Sequence, residues 1–168
     1  MTEQAHVQSG TLVLGVGNTI LTDEGVGPWV VDRLRTLNPD VPDVTWMDGG
    51  TLSFSIAAVV EDAEYLVVVD ATELRAAPGT VRVFVDEAMD EMLGGHGRSI
   101  HEVGLMDLMN MARLTERLPK RRALVGIQPD VVDWGTEPTA AVGAAMPVAA
   151  RAVAELIGQW TGAKIKAE

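Results

Sequence analysis

The chain has 168 residues, 47% of them hydrophobic, enough for one full core and too few for two ordinary domains; a single domain over 1–168 is expected, with residues 1–10 frayed. A formal net charge of -11, from 24 acidic against 13 basic residues, lacks the basic footprint that a phosphate backbone requires and argues against nucleic acid as a partner. Cysteine is absent, which removes disulfides, thiolate nucleophiles and thiolate ligands together, so any metal must be held by oxygen and nitrogen.

The first ten residues, MTEQAHVQSG, lack the basic-then-apolar order of a secretory leader. No run approaches the roughly 18 consecutive apolar residues of a membrane span, so a cytoplasmic protein without a membrane partner is expected. TLVLGVG (11–17) is an apolar run ending in glycines, the pattern of a strand buried on both faces. The loop that follows, within GVGNTILTDEGVG, opens like a dinucleotide fingerprint with Gly15 and Gly17, but Ile20 stands where the third glycine belongs. A phosphate loop is missing too, since no lysine precedes Lys120, and Asp23 and Glu24 would repel a phosphate. Those two acids either complement a helix N-terminus or face a cleft. Pro28 belongs in a helix's first turn, so the helix near 28–37 starts after Glu24 and leaves that carboxylate on the loop or in the first turn.

VTWMD (44–48) is a second strand, and its Asp48, followed by two glycines, is either an Asx-turn acceptor or a catalytic acid. A helix near 52–62 leads to a third strand, YLVVVD (65–70). Asp70 is either inert at that strand's end or held in the cleft that open α/β sheets form beyond the carboxyl ends of their strands. Residues 71–79 contain Pro78 and leave no room for a helical crossover, so TVRVFVD (80–86) should run antiparallel. A helix near 100–118, a strand at ALVGIQP (123–129) and a helix near 139–160 complete the chain. The expected architecture is α/β, three layers α/β/α, with a mixed, mostly parallel sheet of about five strands and one antiparallel strand.

There are three histidines: His6 near the start, His96 in the GGHGR loop and His101 in SIHEVGLMDLM. An H-E-x-x-H zinc site fails at once, because Leu105 stands where the second histidine belongs. Ser99 and Glu102 have the spacing of a capping box, which assigns them to the backbone and fixes His101 in a helix's first turn. None of Ser9, Ser53, Ser55 and Ser99 sits in a nucleophile elbow. Glu24, Asp70 and His101 then form a facial set of metal ligands with open positions, suited to a borderline divalent transition metal.

Taken in order and spacing, GVGNTILTDEGVG, MDGGT, LVVVDAT, SIHEVGLMDLM and VGIQPDVVDWGTEP resemble the maturation endopeptidases of nickel–iron hydrogenases over residues 12–156. The resemblance implies an enzyme that removes a C-terminal extension from the hydrogenase large-subunit precursor once nickel is in place. Glu24, Asp70 and His101 fall on the family's nickel-contacting positions, and Asp48 is kept as a further catalytic candidate. The nickel would be presented by the substrate rather than retained by the resting protein, which is expected to be a monomer forming a transient complex. Pro28 and Ser53 depart from the family pattern and bear on the entry of two helices. Two rivals stay open: a nickel-dependent checkpoint or chaperone that binds the precursor without shortening it, and a nucleotide-binding domain. The second would need a base-stacking aromatic near Asn18, where Trp29 is expected to belong to the core.

Overall fold

The computed structural model describes residues 8–51, 54–95 and 100–168, and the side chains of 100–103 lie outside the description. The run Thr11–Val16, buried at every position, forms β1. A 3-10 turn at Thr22–Gly25 leads into helix α1, Val26–Leu37, where Pro28 takes the third position and so needs no intrahelical N–H partner. Strand β2 is Val44–Gly50; a second 3-10 turn and helix α2, Ala57–Asp62, return the chain to β3, Tyr65–Ala71. Then come β4, Val81–Val85, helices α3, Glu87–Gly94, and α4, Ile100–Leu114, strand β5, Arg121–Ile127, and helix α5, Ala140–Thr161.

The sheet order is β2-β1-β3-β5-β4. Every pairing is parallel except β4 with β5, as the short 71–79 connection requires, and no helix forms there. Side chains alternate across the sheet. Val13, Val67, Val69, Val125 and Ile127 pack with α1 and α5, whereas Leu12, Leu14, Val16, Leu66, Val68 and Leu124 pack with α2, α3 and α4. The result is the expected α/β/α sandwich around a mixed five-stranded sheet. From β1 the chain goes to one neighbour, β2, and then crosses back to the other, β3, so a topological switch point lies between β1 and β3.

Three details differ from the expectations. Helix α3 is absent from the sequence reading; Met89 and Leu93, four residues apart, bury its one apolar stripe. Strand β5 starts at Arg121 rather than 123 because both arginines are paired: Arg122 donates to Asp90 and Arg121 to Asp86. Helix α4 stops at Leu114, short of 118, where the Thr115 hydroxyl and the Arg117 N–H turn back onto the last carbonyls. Helix α5 passes for a membrane span by length and overall composition, but Arg151 and Glu155 interrupt it, so no unbroken apolar run approaches a span, as expected. Its apolarity is used otherwise, since Val142, Ala145, Ala149, Val153 and Ile157 line the core over the sheet. Near the start of the described chain, Gln8 donates to the carbonyls of Glu61 and Arg117, and the Ser9 N–H to Asp62.

Candidate active site

The glycines after β1 serve close packing. Gly17 has φ +141, and a Cβ there would stand 1.8 Å from the Glu24 carbonyl oxygen. A Cβ on Gly27 would lie 2.3 Å from the Val69 carbonyl and 2.4 Å from that of Val16. The first turn of α1 can therefore rest on the carboxyl ends of β1 and β3 only because these positions lack side chains. That contact draws the 3-10 turn carrying Asp23 and Glu24 against the switch point.

Adjacent in sequence, Asp23 and Glu24 do different things. Asp23 is fully buried. Its Oδ2 accepts the backbone N–H of Asp130 at 2.9 Å and of Val131 at 3.0 Å, while Oδ1 accepts the Thr139 N–H at 2.7 Å and the Thr139 hydroxyl at 3.0 Å. Burial alone would push this carboxyl up, but the N–H donors of Val131, Thr139 and Asp130 together hold it below the usual 3.8. The same loops also meet backbone to backbone: Thr22 N–H to the Gly135 carbonyl at 2.8 Å, Gly135 N–H to Ile20 at 3.0 Å and Asp23 N–H to Val131 at 3.3 Å. The Thr22 hydroxyl donates to the Val131 carbonyl and accepts the Asp133 N–H. Glu24, next in the 3-10 turn, is half-buried. The clamp was missed from sequence because its donors lie 107 to 116 residues away. The only signal was VGIQPDVVDWGTEP, a polar, turn-rich stretch following a buried strand with no chemistry of its own.

Asp70 sits near the carboxyl end of β3, only 1% exposed. Strand alternation puts it on the face shared by Leu66 and Val68, the side covered by α4. His101 lies in the first turn of α4; its side chain, and the capping box expected at Ser99 and Glu102, fall outside the described residues. Asp48 is set apart from Asp70. It shares the α1 side of the sheet with Val44 and Trp46, and its Oδ1 accepts the Gly50 N–H at 2.8 Å, an Asx turn. Asp48 lines an open hollow of about 280 Å³ with Thr19, Trp29, Asp32, Arg35 and Trp46. Trp29 is thus half-buried at a surface hollow rather than enclosed in the core. With Arg35 paired to Asp32, that hollow's uncommitted charge is the Asp48 carboxylate, which is unsuited to a phosphate. Among the described residues no group of three His, Asp or Glu side chains is gathered to hold a metal.

Comparison with known proteins gives a consistent picture. The family model described as hydrogenase maturation protease matches residues 28–156. The hydrogenase expression/formation protein HupD of Rhizobium leguminosarum bv. viciae is 32% identical over 89% of this chain and 74% of its own length. The hydrogenase 2 maturation protease of Escherichia coli K12 is 34% identical over 73% of this chain and 74% of its own. Among solved structures, the hydrogenase maturating endopeptidase HybD from E. coli superposes with a TM-score of 0.83 at 30% identity, covering 90% of this chain and 94% of that one. The [NiFe] hydrogenase maturation protease HybD from Thermococcus kodakarensis superposes at 0.72 with 27% identity, covering 88% and 98%.

Proposed function

The chain belongs to the hydrogenase maturation protease family, and from that membership we propose that it is an endopeptidase removing the C-terminal extension of a nickel–iron hydrogenase large-subunit precursor after nickel insertion. The observation that carries this reading is Asp70, a buried acid at the carboxyl end of the strand next to the switch point. The turn that carries Glu24 packs, through its glycines, on the carboxyl ends of β1 and β3, and on the sheet face to which Asp70 belongs lies α4, with His101 in its first turn.

In this proposal Glu24, Asp70 and His101 contact the nickel of the precursor. Two carboxylates and an imidazole suit a borderline divalent ion, and three protein ligands leave positions for the ligands the precursor itself supplies. The metal is then part of the substrate. A carboxylate held out of water, as Asp70 is, gains most when a cation is brought against it, so the site favours a loaded precursor over an empty one. Seating the ion on a strand end, a rigid turn and a helix also fixes the scissile bond relative to the cleft, and such positioning contributes a large part of a hydrolytic rate.

Mixing the purified protein with nickel-loaded precursor, read by intact mass, should show loss of the C-terminal peptide. Glu24→Gln, Asp70→Asn and His101→Ala should each slow that loss by about a hundredfold or more, the cost of misplacing a reacting bond. A wild-type protein that binds loaded precursor and leaves its mass unchanged would make the checkpoint reading the correct one.

A further inference from the structure

The surface beside the candidate site carries an exposed apolar patch on an unusually well-tied loop. Strands β1 and β5 flank β3, and the segments leaving them join beyond its carboxyl end through the Asp23 clamp and the paired backbone of Ile20, Thr22 and Gly135. On this joined segment Trp134 is 78% exposed and Val132 53%, with Ile20 and Val131 exposed beside them. The backbone beneath them is held: Asp133 accepts the Trp134 N–H at 2.7 Å and donates its own N–H to Thr22. Apolar side chains on mobile loops are common, but a tryptophan carried on a hydrogen-bonded loop has a backbone that needs little further ordering on binding. The patch is rimmed by exposed Asp130, Asp133 and Glu137, and no lysine or arginine occurs in 17–32 or 129–150.

We propose that Ile20, Val131, Val132 and Trp134 form the docking surface for the precursor, received by an apolar hollow on that protein edged with Lys or Arg. This rests on the function proposed above and adds the contact by which the partner is held. The feature that favours that occupant is continuity: the patch lies on the segment tied to the turn that carries Glu24, and its acidic rim sets the basic character expected of the partner's edge. Trp134 fits the part of a central anchor, since truncating an aromatic anchor commonly removes much of an interface's binding energy.

The test is steady-state processing of nickel-loaded precursor across its concentration range, with thermal unfolding and sedimentation of each protein. Trp134→Ala and Val132→Ser should raise KM, by about tenfold or more for Trp134, leave kcat and the melting temperature near wild type, and Trp134→Phe should recover most of the loss. Leu114→Ala, removing an 86%-exposed leucine at the far end of α4, should change nothing. Wild-type KM should also rise with salt. If wild type trims the precursor and Trp134→Ala does so with the same KM, the docking surface is refuted and the peptidase reading stands. A wild type that sediments as a dimer, with Trp134→Ala a monomer, would give the patch to a second copy of this chain and overturn the proposal. A wild type that neither binds nor trims the precursor overturns both readings.

Discussion

Asp23 and Glu24 cannot be told apart by composition or spacing, because each is an acid just ahead of a helix. What separates them is tertiary: Asp23 meets donors more than a hundred residues away, and Glu24 does not share that clamp. Removing the Asp23 carboxylate leaves the N–H groups of Asp130, Val131 and Thr139 without their buried acceptor. Asp23→Ala should therefore lower stability by about 3 kcal/mol, roughly 6–12 °C in melting temperature for a domain of this size, and should slow processing through the turn that carries Glu24. The sign of the pH effect follows from the lowered pKa. The carboxylate's contribution is complete above the unfolded-state value near 3.8 and is lost as pH falls through the lower folded value. Melting curves below about pH 4 should show wild type losing this contribution, while Asp23→Asn, already destabilised, shows less of that acid dependence. Asp70 was more legible, since an acid closing an apolar strand stands out. Asp48 makes the Asx-turn hydrogen bond to the Gly50 N–H that its two following glycines suggest.

At the scale of elements, β1, β3 and β5 were readable because buried parallel strands are nearly continuous apolar runs, and the antiparallel β4 followed from chain length alone. Helix α3 was not readable: EAMDEMLG is short and acidic, with only Met89, Met92 and Leu93 as large apolar residues. What anchors it is Asp90, whose Oδ1 accepts Arg122 Nε at 2.9 Å and whose Oδ2 also meets Arg113 at 2.7 Å. The Arg122 hydrogen bond holds the Asp90 carboxyl below its usual value, and Asp90 in turn raises Arg122. Arg122 is buried, so Asp90→Ala removes the carboxylate that accepts its guanidinium N–H groups and leaves it the more distant charges of Asp86 and Glu87. That variant should lose about 2–3 kcal/mol while retaining the processing rate at temperatures where it is folded. Chemical denaturation gives the first quantity and the precursor assay the second. An Asp90→Ala protein as stable as wild type would mean that α3 is held by Met89 and Leu93 alone.

For the molecule as a whole, the sheet order converts separate motifs into one site. The motifs after β1, β3 and β5 are spread over more than a hundred residues, yet β3 lies between the other two strands, so their loops close over its carboxyl end. The sandwich was legible because alternating strands and helices permit few topologies; the joining of the first and last loops was not, because no local pattern encodes a contact between them. The acidic charge of -11 fits the proposed function, in which carboxylates within an acidic surface would favour a metal-bearing, basic-edged partner over a nucleotide. The central claim is that the protein reads nickel in its substrate, and the most direct measurement is intact-mass analysis of nickel-loaded and nickel-free precursor incubated side by side with the wild-type protein. Only the loaded precursor should lose its C-terminal peptide; equal shortening of the nickel-free precursor would show that nickel is not what the protein reads.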